Sequence, residues 1–206
     1  MNRACSGLRA VGPLTAASLL LAGCATVVVA PTAPEEPVSV FLLEHGGHAS
    51  LVLPGGERGL VRYAYGDLRW YALGQTGPAE GLAALLGETP AALGRRELRG
   101  PADAETVRSQ VREGIQQLYE LRVARARSER LRADLDGIYA ANRATLVYSA
   151  TYDLEFVRHP VPYSARHNSN FVMAGWLTAL GCEVQGAGLI TNWRVATPDA
   201  GQSSSP

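Results

Sequence analysis

The sequence predicts an α+β domain in which an antiparallel sheet packs with helices. Strand-like runs cluster early, a long 3.6-residue apolar period fills the middle, and a few more strands and one late helix close the chain. The 206 residues, less a leader described below, leave about 180 for one domain with a core of useful size.

The first strands are the plainest. Val38 to Leu43 and His48 to Leu53 are runs rich in β-branched and large apolar residues, joined through Gly46-Gly47. Pro54-Gly55-Gly56 turns the chain into a third strand, Leu60 to Tyr65. From Trp70 to Gly94 the sequence is rich in Ala, Leu and Gly, with a short helix expected over Pro78 to Leu86 and an edge strand over Arg95 to Arg99.

Asp103 is placed to cap a long amphipathic segment. Val107, Val111, Ile115 and Leu118 recur every three or four positions, and Leu131, Leu135 and Ile138 continue the pattern after a break near Ala126 to Ser128. Its Arg-rich opposite face reads as solvated helix surface. Thr145 to Phe156 carries one or two more strands, and His159-Pro160-Val161-Pro162 predicts a loop. Asn168 to Leu180 is a helical window that stops at Gly181, a C′ glycine, and residues 199–206 form a polar tail expected to be disordered.

The opening has another character. Arg3 and Arg9 precede an apolar run from Ala10 to Leu21, a core of roughly a dozen residues and too short for the ~20 of a spanning helix. Leu21-Ala22-Gly23-Cys24 resembles the lipobox of bacterial lipoproteins, which implies a signal peptide over residues 1–23, acylation such as palmitate on Cys24, and a membrane anchor. Ala25 differs from the Asp that often retains such proteins in the inner membrane, so the expected location is the outer membrane, facing the periplasm. Residues 24–37, small and interrupted by proline, read as a lipid-anchored tether, and 38–198 as the domain.

Composition narrows the functions. The formal charge is zero and becomes slightly negative once Arg3 and Arg9 are removed, so nucleic-acid binding lacks its main driving force. Cys5 leaves with the leader and Cys24 carries lipid, so Cys182 has no disulfide partner and reads as a packed core thiol.

Three stretches hold residues with chemical potential: Glu44 to Pro54, with His45 and His48 flanking two glycines; Tyr63 to Tyr71, with Gly66-Asp67; and Arg166 to Leu177, with Asn168-Ser169-Asn170 at a helix start. Read alone, the last is a helix cap, and the histidine pair lacks a carboxylate or cysteine at ligand spacing, so neither metal nor cofactor is expected. Asp67 either caps a turn or orients a histidine.

Together these stretches resemble a bacterial lipoprotein family of unknown function related to circularly permuted NlpC-type papain-like hydrolases. The resemblance rests on His48-Ala49-Ser50-Leu51-Val52-Leu53-Pro54, on Tyr65-Gly66-Asp67 with Trp70-Tyr71, and on Asn168-Ser169-Asn170 with Trp176-Leu177, and it spans most of the domain. It implies a permuted papain-like fold with His48 as base, position 169 as nucleophile, and Asp67, or with less support His167, as orienting group. The family has cysteine where this chain has Ser169. A helix terminus and an imidazolium can bring a thiol into the ~3.5–7.5 range, whereas a hydroxyl needs base-assisted deprotonation during attack. Cys182, roughly 20 Å along the same helix, is no substitute. The expectation is a pseudoenzyme, a binding or scaffolding module whose partner is peptidoglycan or another envelope component. The alternative is a serine-dependent hydrolase or acyltransferase acting on amide or ester bonds in the envelope.

Overall fold

A computed structural model describes residues 25–55, 59–77, 87–186, 188 and 192–196. The leader, Cys24, the helix expected over Pro78 to Leu86 and the tail over 199–206 lie outside them.

The chain is a mixed α+β structure built on a large antiparallel sheet. Its seven strands run in the order β6-β2-β3-β4-β5-β8-β7, where β2 is Pro37–Glu44, β3 Ala49–Pro54, β4 Gly59–Asp67, β5 Thr89–Arg99, β6 Gln117–Ala124, β7 Val147–Ser149 and β8 Leu154–Tyr163. A second sheet of three short strands has β1, Ala25–Val29, between β10, Asn192–Ala196, and β9, Glu183–Gln185. The helices are α1, Ala104–Gln110, α2, Arg125–Ala141, and α3, Ser169–Ala179.

Alternation along the central strands divides the core into two sides. On one, Leu51 and Leu53 of β3 and Val61, Tyr63 and Tyr65 of β4 pack under Leu131 and Leu135 of α2 and Met173 and Leu177 of α3. On the other, Phe41, Val52, Leu60 and Leu98 meet Val107 of α1, and Ala64, Ala92 and Phe156 meet Tyr71 and Tyr152. Burial of each large apolar side chain contributes about 1.5–3 kcal/mol.

Several expectations need correction. Residues 24–37 are not a free tether throughout, because Ala25–Val29 pairs with strands on both sides. Asp103 does cap a helix, accepting from Thr106 N at 2.7 Å, but the helix ends when Val111 turns extended. Leu118 belongs instead to β6, where Tyr119, Leu121 and Val123 alternate with Glu120 and Arg122. Residues 126–128 are helical, not a break. Arg95–Arg99 ends a longer strand, Thr89–Arg99, whose earlier residues lie between β4 and β8; past Arg95 it pairs with β4 alone, an edge as expected. The Pro160-Val161-Pro162 stretch stays in β8. It lies beyond the reach of β7, which pairs only with Leu154–Phe156, and opposite an irregularity between Thr89 and Ala91, so no ladder donor is missed.

One end of the large sheet gathers the ends of β2, β4 and β8 and the beginnings of β3 and β5. Glu44 pairs with Ala49, Asp67 with Ala91, and Thr89 with Tyr163. The three stretches singled out in the sequence all arrive at this end.

Candidate functional site

His48 precedes β3 in a tight turn closed by His45 N donating to His48 O at 3.0 Å. The two imidazoles stack at 5.0 Å, and the His48 ring also meets Tyr71 and Tyr152 edge-on at 5.4 and 5.3 Å. Its charged partner is Glu113, delivered by the loop between α1 and β6, which Gln116 N fastens to Glu44 O at 2.8 Å. His48 Nε2 abuts Glu113 Oε1 as an ion-pair contact rather than along an in-line N–H bond.

Behind this pair stands Arg62, fully buried because β4 alternation turns it into the core opposite Val52. Its guanidinium donates to Glu113 Oε2, to Ser50 Oγ at 2.9 Å, to Tyr152 O at 3.1 Å and to His45 Nε2 at 3.2 Å. The same pattern fixes the His45 tautomer: Nδ1–H donates to Gly114 O at 2.9 Å, leaving Nε2 to accept from Arg62 and from the Ser50 hydroxyl. Burial, then the adjacent guanidinium, brings the His45 pKa down to about 4, so the ring is neutral at pH 7. Burial pushes the Glu113 carboxyl upward, but contact with His48 and the charge of Arg62 outweigh it and hold its pKa below the ordinary carboxylate value.

Ser169 opens α3. Asn168, not Ser169, is the cap, its Oδ1 accepting from Asn170 N at 2.8 Å and Phe171 N at 3.1 Å. Ser169 lies beside the phenols of Tyr71 and Tyr163, and its nearness draws their pKa down against the larger effect of burial. Burial raises the pKa of both phenols, so both are protonated at neutral pH. Among the described residues no hydrogen bond joins Ser169 to His48. Tyr71 is a neighbour of both, its ring edge-on to His48 and its phenol beside Ser169.

Tyr71 reaches that position because the chain leaves β4 through a π-helical turn, Leu68–Ala72, folded back over Gly66. A β-carbon at Gly66 would lie 2.2 Å from the Tyr71 ring, so the close approach requires glycine. Asp67 caps this turn, with Oδ1 accepting from Trp70 N at 2.9 Å and Oδ2 from the Thr89 hydroxyl. It therefore takes the turn-capping role of its two readings, and the carboxylate at His48 is Glu113. His167 packs edge-on against Tyr65 at 5.4 Å, beside His159. Cys182 is buried after Gly181 at the opposite end of α3, and burial raises its thiol to about 11.

The ligating atoms of His45, His48 and Glu113 lie within 4.8 Å of one another, a carboxylate that sequence spacing did not suggest completing the histidine pair. As a metal set they fit poorly, since Glu113 Oε2 and His45 Nε2 already accept from Arg62, whose charge stands where a cation would. Chemically, the end of the sheet holds an imidazole paired with a carboxylate, two protonated phenols and a serine beside those phenols. Comparison with protein-family models, with curated proteins and with solved structures finds no match.

Proposed function

We propose that this chain is a lipid-anchored envelope protein whose domain is of permuted papain-like type and whose site binds or scaffolds rather than hydrolyses. The observation that carries the reading is the lack of a bond between Ser169 and His48. At the helix N-terminus, where the resemblance puts a cysteine nucleophile, Ser169 lies beside the phenols of Tyr71 and Tyr163 and, among the described residues, shares no hydrogen bond with His48, whose ring Tyr71 meets edge-on. A serine nucleophile depends on direct proton transfer to its base, because a hydroxyl does not ionise at neutral pH. Convergence of β3's first residues and α3's N-terminus on one end of an antiparallel sheet supports the fold assignment. The partner in this reading is peptidoglycan or another envelope component, met from the periplasmic face of the outer membrane through lipidated Cys24.

One observation favours the hydrolase or acyltransferase alternative: the His48 imidazole already has a carboxylate partner in Glu113, as a general base requires. Labelling the protein with a fluorophosphonate probe separates the two. The binding reading expects no labelling of wild type and, for Ser169→Cys, thiol-probe reactivity that falls at least tenfold when His48→Ala is added. Wild-type labelling that disappears in both Ser169→Ala and His48→Ala would overturn it in favour of an enzyme.

A further inference from the structure

We propose that the end of the domain carrying His48 and Ser169 rests on the bilayer surface, so that the site opens toward lipid headgroups. The proposal rests on the reading of Cys24 as the acylated residue.

The first ground is the absence of slack. β1 begins at Ala25, the residue after Cys24, and Thr26 is already in register with Trp193 of β10. Trp193 is tied to the site end of the large sheet: its carbonyl accepts from the hydroxyl of Tyr119, which pairs with Leu42 of β2, at 2.8 Å, and its backbone lies near the carboxylate of Glu44, the neighbour of His45. Two residues of strand reach only ~7 Å, so an acyl group on Cys24 holds this end close to the membrane.

The second ground is independent of the anchor. Four large apolar side chains are prominently exposed among the described residues, and three of them lie at this end: Leu73 at 48 %, Val161 at 44 % and Phe171 at 37 %. Leu73 follows the π-helical turn after β4, Val161 is near the end of β8, and Phe171 is in the first turn of α3. The fourth, Tyr148, is in β7. Exposed Arg69, Arg166 and Arg194 accompany them, against exposed Glu88, a mixture suited to a headgroup layer. From β2 to β8 there are four strand spacings, about 19 Å, so the anchor and the apolar residues support the sheet end at two separated points and fix its orientation.

The test uses the full-length gene product, acylated and reconstituted in phosphatidylethanolamine–phosphatidylglycerol vesicles with brominated acyl chains. Four variants, Leu73→Trp, Val161→Trp, Phe171→Trp and Arg99→Trp, each place a fluorophore at an exposed position, the last at the far end of β5. We expect fluorescence from the added tryptophan to be quenched at least threefold more at 73, 161 and 171 than at 99. Equal quenching at all four, or none at the first three, would overturn the orientation. Palmitate incorporation into the same preparations, with Cys24→Ala as the blank, judges the anchor separately. Where no label enters, the chain from Cys24 onward is coupled through that thiol to a maleimide lipid, Cys182 being buried, and the quenching pattern again decides the orientation.

Discussion

Arg62 organises the polar half of the site, and its burial makes that half sensitive to acid. A guanidinium removed from water is tolerable only with its donors satisfied, here by Glu113, Ser50, His45 and a backbone carbonyl. His45 serves as acceptor only while neutral. Its folded pKa of about 4 lies below the unfolded 6.5, so between these values the unfolded chain binds more protons and stability falls as pH falls. The gap is worth on the order of 3 kcal/mol, fully present above pH 6.5 and lost by about pH 4. Urea unfolding of wild type and His45→Gln from pH 7.5 to 4 should show a steeper loss in wild type by about that amount; parallel curves would remove His45 from the account. His48 and Ser169 were legible in the sequence because each sits within a short motif. Glu113 and Arg62 were not: they are 51 positions apart, and an arginine alternating with apolar residues looks like a solvent-facing strand residue.

The π-helical turn after β4 sets the shape of the site, because it lays Tyr71 between His48 and Ser169. Gly66 permits this, and Gly66→Ala should cost about 1–3 kcal/mol by driving a methyl group into the Tyr71 ring. Gly47→Ala, with nothing within 4 Å of the added carbon, is the control and should stay within about 0.5 kcal/mol. Thermal unfolding of the two variants decides, equal midpoints refuting the role given to Gly66. At this scale β2, β3 and β4 were readable to within a residue or two, since two-residue alternation and glycine turns bound them. The stretch after Asp103 misled for a physical reason: Val107, Val111, Ile115 and Leu118 mimic a helix period while Tyr119, Leu121 and Val123 carry the true strand period. The charges of Arg95 and Arg96 are met by Asp136 and Asp153 from elsewhere in the fold, which local sequence does not reveal, so the interior start of β5 before them was missed.

Across the whole molecule, the order of strands, helix, strands and helix was enough to give an α+β antiparallel architecture, but not the three-stranded sheet, whose members come from both ends of the chain. Val28 of its middle strand is fully buried between Val184 and Val195. Val28→Asp should therefore destabilise the domain by more than about 3 kcal/mol in chemical denaturation, whereas a tether would tolerate the change without effect.

The parallel pairing of β1 with β10 joins residues separated by 167 positions, so the first strand of the domain must wait for the last. During synthesis the segment beside Cys24 has no strand partner until the C-terminal strands emerge. Closing so long a loop comes late in folding, after the hairpins of the large sheet have formed. Cys24 thus borders unpaired, accessible backbone until the chain is nearly complete and borders a locked strand only afterward. Any enzyme that must grip this segment has its opportunity before the chain is complete.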